Sequence, residues 1–204
     1  MKVTITISKL GNITDIKWRT LKSIVSNKGT HKANGGIVQL SAADAQYLSR
    51  GTVNLSQSGK IYARNVGNKS GRIVIGGPNN QSINLAGTLD ASSRYQMQAQ
   101  NKNSVVSISG GDIKLKGSIY AKNHKTKSVN IKAKGNLELN NKIRASGNKF
   151  GGEIMLSSEN STVKSPSSYI DVSGGFKGGR ITSSSKITNM SSGELNASSA
   201  SGYG

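Results

Sequence analysis

The chain has 204 residues and carries 28 Lys and Arg against 9 Asp and Glu, a formal net charge of +19. It contains no cysteine, which excludes disulfides and any zinc or iron–sulfur site built from thiolates. Hydrophobic residues make up 33% of the chain and aromatic residues 4%, low for a compact enzyme-like domain but ordinary for a repeat protein whose outward positions are polar.

Residues 1–26 fit the repeat that fills the rest of the chain least well. They begin with the alternating segment Met1–Ser8 and contain the only tryptophan, Trp18. No apolar run in the chain reaches the length of a signal peptide core or of a membrane span, so membrane insertion is not expected. We predict that this segment forms an incomplete or degenerate first coil.

Residues 27–156 are built from three short phrases that return in the same order. One phrase reads small residue, any residue, branched apolar residue, any residue, small apolar residue, and its copies begin about 24 to 30 residues apart. The copies, two of which lie beyond this range, are Gly59–Ala63, Gly87–Ala91, Gly117–Ala121, Asn141–Ala145, Ser168–Val172 and Gly193–Ala197. A fixed period of this length with tolerated insertions is typical of a solenoid.

Each of the other two phrases holds a pair of apolar residues on either side of one outward residue. The phrase ahead of the first contains Val53/Leu55, Ile83/Leu85, Ile113/Leu115 and Leu137/Leu139, with weakened copies at Val163 and Ile187. The phrase after it contains Val38/Leu40, Ile73/Ile75, Val106/Ile108, Val129/Ile131 and Ile154/Leu156, fading to Ile181. This alternation is the mark of a strand with one buried face, and the connections are too short for crossover helices. We therefore predict an all-β, single-stranded parallel β-helix with about three short strands per coil.

Residues 157–204 are rich in Ser and Gly, as in Ser183–Ser185 and in the tail Ala197–Gly204. In this segment, polar residues occupy positions that hold Leu or Ile in the earlier copies of the repeat. We predict degenerate coils with an open, truncated end, because a free-standing solenoid normally carries a polar cap.

The basic residues suggest an anion-binding surface. Lys122, His124, Lys125 and Lys127 lie together in one predicted loop. Outward strand positions add Lys142 and Arg144 to this candidate site and also hold Lys60, Arg72, Lys114 and Arg180. The alternative interpretation is a solvated polar face whose lysines discourage edge-to-edge aggregation. Specific nucleic-acid binding is not expected, because only Tyr120 stands near the loop and nucleic-acid readers interleave charge with stacking aromatics.

An enzymatic interpretation finds little support in the sequence. Asp90 and Asp171 share one predicted outward column, but they lie three coils apart, about 14 Å by the strand spacing, too far to act as a glycosidase pair. His31 and His124 are expected to be solvated rather than catalytic or metal-ligating. The Gly-rich segment Gly174–Gly179 lacks the Lys-Ser/Thr and the helix of a phosphate loop and is predicted to be a flexible corner. We expect no catalytic residues, no metal and no cofactor.

Three tyrosines could form part of a sugar-binding face. Tyr62, Tyr120 and Tyr169 are expected to project outward from the same type of strand. Coils that carry Asp90 and Arg144 intervene, so the rings cannot form one continuous ladder.

The stretch 27–93 resembles the filamentous haemagglutinin-type exoproteins of the two-partner secretion route. The order of its phrases carries the resemblance more specifically than any one phrase. The matching segments are Asn27–Gly29, Ala33–Ala42, Gly51–Ala63, Gly71–Gly77 and Ile83–Ser92. The family's secretion domain carries Asn-Pro motifs, whereas neither Pro78 nor Pro166 follows an Asn. The resemblance therefore implies a rod segment at or after the secretion domain.

From this resemblance follow a right-handed coil, secretion to the bacterial surface and an outer-membrane transporter of the two-partner type as a partner. We expect a non-enzymatic adhesin segment that attaches to anionic glycans or cell surfaces through a basic face. A passive stalk of a large exoprotein, such as a contact-dependent toxin, is the alternative. A polysaccharide lyase or hydrolase is the least favoured.

Overall fold

The computed structural model describes residues 5–7, 25–40, 52–66, 71–76, 82–95, 105–124 and 128–201. Every helix or strand assigned within these ranges is a β-strand, and each strand is only three to six residues long. Such short strands are what the sequence pattern dictates, because each phrase offers only two or three alternating apolar positions before a turn residue ends it.

The strands form three sheets. The first sheet contains β1 (Ile5–Ile7), β4 (Ile37–Leu40), β7 (Arg72–Gly76), β10 (Val106–Gly110), β13 (Val129–Ala133), β16 (Glu153–Ser158) and β19 (Arg180–Ser184). The second sheet contains β2 (Val25–Asn27), β5 (Thr52–Leu55), β8 (Ser82–Leu85), β11 (Ile113–Leu115), β14 (Leu137–Leu139), β17 (Ser161–Lys164) and β20 (Ile187–Asn189). The third sheet contains β3 (Thr30–Lys32), β6 (Lys60–Tyr62), β9 (Thr88–Asp90), β12 (Ser118–Tyr120), β15 (Lys142–Arg144), β18 (Tyr169–Asp171) and β21 (Glu194–Asn196).

The chain visits the three sheets in turn, so that each strand pairs with the strand three elements earlier and three elements later. From β2 onwards these pairs are parallel, as between β10 and β13 or between β12 and β15. β1 differs, because it runs antiparallel to β4. The predicted all-β parallel solenoid with about three short strands per coil is confirmed.

The core is a narrow column of stacked aliphatic side chains inside the coils. Alternation places the apolar member of each phrase inward and its neighbours outward, as the buried–exposed–buried pattern of β11 and β14 shows. In the third sheet, Ile61, Leu89, Ile119, Ile143 and Ile170 stack in register and are all buried. Contact between coils, rather than a large globular core, therefore stabilises the rod.

Glycine at the corner between the second and third sheets lets successive coils approach closely. A Cβ added to Gly117 would lie 1.8 Å from the carbonyl oxygen of Gly87, and one added to Gly87 would lie 2.1 Å from that of Gly59. Both distances are far below any van der Waals contact. The glycine that opens the first phrase thus serves coil stacking.

The weakened copies of the phrase ahead of the first, at Val163 and Ile187, are oriented differently from the prediction. In β17 Thr162 and Lys164 stack on Leu137 and Leu139, so Val163 faces outward and is 41% exposed. Ile187 pairs with Ser161 and is 66% exposed. The prediction that Val163 and Ile187 point inward is wrong, because the parallel register with β14 sets the facing of β17 and a shift of one residue exchanges its two faces.

The described residues contain no helix with the length and hydropathy of a membrane span.

Candidate functional site: a basic groove at one corner of the rod

Most connections from the third sheet to the first are long, and their described residues lie along one corner of the rod. They span 63–71, 91–105, 121–128, 145–152 and 172–179, whereas connections from the second sheet to the third, such as 86–87, 116–117 and 140–141, are shorter. We call this edge the loop corner. After β2, the connection 41–51, from the first sheet to the second, is also long, but the other long connections belong to the loop corner, and insertions that collect on one face of a solenoid often mark its binding face.

Backbone hydrogen bonds between coils continue into the loop corner beyond the strand ends. The amide of Ser93 donates to the carbonyl of Lys122 at 3.0 Å, and the amide of Asn123 donates to the carbonyl of Ser146 at 2.9 Å. The amide of Gly147 then donates to the carbonyl of Ser173 at 2.9 Å. The first residues of these loops are therefore stacked as regularly as the strands, and they hold their side chains at defined positions.

An open groove of about 480 Å³ lies at the loop corner. We call it the basic groove. Its walls are Arg64, Asn65, Asp90, Ser92, Ser93, Arg94, Tyr120 and Lys122. Among the described residues of these walls, three cations against one carboxylate leave an excess of two positive charges. Such an arrangement attracts anions, the more strongly the lower the ionic strength.

Arg64 is held in a defined orientation while its side chain stays 55% exposed. Its Nε donates to Oδ2 of Asp90 at 2.7 Å, and its guanidinium carbon lies 5.0 Å from the centre of the Tyr62 ring. Oδ1 of Asp90 accepts from the amide of Ser92 at 3.0 Å, so the carboxylate is itself fixed. A guanidinium oriented in this way keeps donors for a second anion at little entropic cost.

Lys122 and Arg94 provide the other positive charges. Nζ of Lys122 lies 5.9 Å from the centre of the Tyr120 ring, and the guanidinium carbon of Arg94 lies 5.5 Å from that of Tyr95. Both contacts are within the range of cation–π attraction. The tyrosines at this corner therefore orient cations.

The predicted anion-binding residues do not all converge. Lys122 lines the basic groove. Lys142 is exposed on β15, and Arg144, on the same strand, is half-buried with its guanidinium carbon 5.3 Å from the Tyr169 ring centre. Neither lines the basic groove. Lys125 and Lys127 lie outside the described residues.

The prediction that His124 is solvated is wrong. The residue is 2% exposed, and its Nε2 lies 2.9 Å from the carbonyl oxygen of Ala91 in the preceding coil. Burial lowers the pKa of the His124 imidazole, an effect that the hydrogen bond to Ala91 opposes. A buried, neutral imidazole cannot serve as a surface ligand for anions, so His124 acts in the packing of its loop.

The acidic residues are arranged as predicted in sequence order but not in exposure. Register places Asp90, Tyr120, Arg144 and Asp171 on successive strands, which confirms that three coils separate the two aspartates. Both carboxylates lie in the outward column, as predicted, but each is mostly buried there. No group of three or more His, Cys, Asp or Glu side chains able to hold a metal ion occurs in the described part of the chain.

Sequence reasoning missed Arg64, Arg94 and the structural role of Asp90. The sequence did contain a signal for Arg64, because Arg64 lies two residues after a tyrosine of the repeat, as Lys122 does. Nothing in the local sequence of Arg94 distinguishes it, since its position depends on the long connection that follows β9.

A second groove, of about 450 Å³, lies further along the loop corner. Phe150 and Phe176 meet beside it edge to face, with ring centres 5.8 Å apart, and Lys177 and Arg180 line it. The segment Gly174–Gly179, predicted to be a flexible corner, is hydrogen-bonded to the loops on both sides. The Phe176 amide donates to the Lys149 carbonyl at 2.7 Å, and the Gly174 amide donates to the Ser198 carbonyl at 3.0 Å.

Comparison of the chain with family models, with curated proteins and with solved structures gives no match.

Proposed function

We propose that this chain is a rod segment of a secreted bacterial surface adhesin, similar to the filamentous haemagglutinin-type exoproteins. Two features support the proposal: the β-solenoid, which suits an elongated surface protein, and the phrases between residues 27 and 93 that resemble that family. An outer-membrane transporter of the two-partner type would then carry the protein to the cell surface.

The basic groove carries the adhesive part of the proposal. Its excess of positive charge and the fixed, exposed guanidinium of Arg64 suit carboxylate or sulfate groups on a glycan. The described residues of the groove include no pair of facing carboxylates, which glycoside hydrolysis requires, so attachment without chemistry is the better account.

The alternative is a passive stalk, and the second sheet favours it. Lys114 and Glu138 pair at 3.0 Å on its outer face, and Nδ2 of Asn84 donates to Oδ1 of Asn54 at 3.1 Å. Side chains that bind one another between coils suit a surface that only has to remain soluble.

Binding of the folded protein to heparin and to whole cells across a salt series tests the adhesin against the stalk. We expect saturable binding that weakens steeply as salt rises, because the contacts are exposed and electrostatic. The double variant R94Q/K122Q should lose most of this binding, whereas K132Q/K134Q, which removes the same charge from an exposed region outside the basic groove, should retain it. Circular dichroism checks that the variants remain folded. Equal binding by both variants would exclude the basic groove as the adhesive surface. If the unmodified protein bound neither heparin nor cells, the passive stalk would be the better account of its function.

A further inference from the structure

One pentapeptide pattern, with Arg or Lys at its fourth position, occurs twice at the loop corner. Ile61–Asn65 reads Ile-Tyr-Ala-Arg-Asn, and Ile119–Asn123 reads Ile-Tyr-Ala-Lys-Asn. Register pairs Tyr62 with Asp90 and Asp90 with Tyr120, so the two copies lie two coils apart. The strand spacing puts that separation at roughly 10 Å along the rod axis.

The two copies share two structural features. In each, the cation lies over the ring of its own tyrosine, Arg64 over Tyr62 and Lys122 over Tyr120. In each, the amide of the cationic residue donates at 3.2 Å to a side-chain oxygen of the preceding coil. The acceptors are Oδ1 of Asn34 for Arg64 and Oγ of Ser92 for Lys122.

At the position aligned with the two tyrosines, the coil between the copies carries a negative charge. Asp90 occupies the place of the tyrosine, and its side chain is 8% exposed. Ser92 occupies the place of the cation, and its amide donates to Oδ1 of Asp90. At these aligned positions the order is therefore cation, carboxylate with a neutral hydroxyl, cation, and Arg94 lies two residues further along the loop of the middle coil.

This order selects among polyanions by the spacing of their charges. Each strand of a nucleic acid duplex carries a charge about every 3.4 Å, so phosphates that reach both cations would bring others close to Asp90. A polymer whose anionic groups alternate with neutral units can contact both cations and leave a neutral unit opposite the carboxylate.

We propose that the two pentapeptides are equivalent subsites for one linear polysaccharide in which acidic and neutral sugars alternate, lying along the rod axis at the loop corner. The proposal rests on the adhesin function and names the class of its ligand. A single exposed ion pair contributes little free energy, so useful affinity requires both subsites on one chain.

Hyaluronan oligosaccharides, which alternate a uronic acid with a neutral sugar, test the proposal in a length series by calorimetry at low salt. We expect the affinity of the unmodified protein to rise by about tenfold or more once a chain reaches both subsites, beyond the gain from the number of binding positions. K122Q should abolish this rise and leave the affinity for the shortest chains within a factor of a few. R64Q should do the same, and R64K should retain the rise, because lysine keeps the charge beside Asp90.

K132Q, on the outer face of the first sheet, is the matched control and should leave the length dependence unchanged. Because R64Q removes the partner of a buried carboxylate, thermal unfolding checks its fold, and K122Q keeps the test decisive if R64Q unfolds.

Two further arms separate this inference from the adhesin proposal. A length dependence that survives in K122Q, or tighter binding of an equally long DNA duplex than of hyaluronan, would overturn the alternating-sugar site even if heparin and cells still bind. Absence of binding to heparin, cells and hyaluronan alike would instead overturn the adhesin proposal itself.

Discussion

At the scale of single residues, Lys164 occupies a place that the fold reserves for leucine. It stacks on Leu139 in the second sheet and is 1% exposed. Its Nζ donates to the carbonyl oxygen of Ser192, and burial lowers the pKa of the ammonium group. A buried charge with one carbonyl acceptor opposes folding of this coil.

Replacing Lys164 by leucine should stabilise the protein by about 2 kcal/mol at neutral pH, since it removes the buried charge and restores an apolar contact. The folded chain releases the Lys164 proton at a lower pH than the unfolded chain does. The cost of the charge is therefore present at neutral pH and fades as the pH rises through the folded pKa.

Urea unfolding at pH 7 and pH 10 measures both effects. The increase in the free energy of unfolding that K164L causes should be smaller at pH 10 than at pH 7. K132L, on the outer face of the first sheet, should change that free energy little at either pH. A K164L protein no more stable than the unmodified one would show that the bond to Ser192 compensates for burial.

His124 should make the protein sensitive to mild acid. Because its pKa is lowered on folding, the unfolded chain binds a proton more readily, and stability falls as the pH drops below the ordinary histidine pKa. Protonation of this one residue can lower the free energy of unfolding by at most about 1.4 kcal/mol per pH unit. In urea unfolding, H124Q should reduce the loss of stability between pH 7 and pH 5. H31Q should not change that loss. The same reduction in H31Q would assign the effect to the other histidine.

At the scale of elements, β17 shows how neighbouring strands decide which residues face the core. Val163 was the apolar residue of its phrase, yet it faces outward, and Thr162 occupies the inward position instead. β17 lies between β14 and β20, and a parallel strand can only follow the register of its neighbours.

A matched pair of substitutions tests that orientation. V53A, in the second sheet at a fully buried valine, should cost about 2 kcal/mol from two lost methyl groups and the cavity that remains. V163A should change stability by no more than about 0.5 kcal/mol. If V53A and V163A lowered the free energy of unfolding in urea by equal amounts, Val163 would be buried and the register of β17 shifted by one residue.

At the scale of the whole molecule, stability should vary along the rod, because each coil contacts only its neighbours. The inward residues of β14 are Leu137 and Leu139, whereas those of β17 are Thr162 and Lys164, and both strands have a neighbour on each side. Amide hydrogen exchange should be at least about tenfold faster in β17 than in β14, since local opening costs less where fewer apolar contacts break. Uniform protection of the two strands would indicate that the rod unfolds as one cooperative unit.

Local sequence patterns were enough to predict the class of fold and most of the core. Its period and its alternation predicted three strands per coil, and they named inward residues such as Ile73, Ile119 and Leu139 correctly, because alternation and stacking are local rules repeated in every coil. Where the alternation weakened, at Val163, the same rule pointed to the wrong face.

The site, by contrast, arises from contacts between coils. Arg64, Asp90 and Lys122 meet because stacking brings residues from three different coils into one row, and His124 is buried because its loop folds against Ala91 of the preceding coil. Such contacts depend on the lengths and paths of loops and on parallel register. A short window of sequence contains neither the loop paths nor the register, so the basic groove could be identified only from the stacked coils.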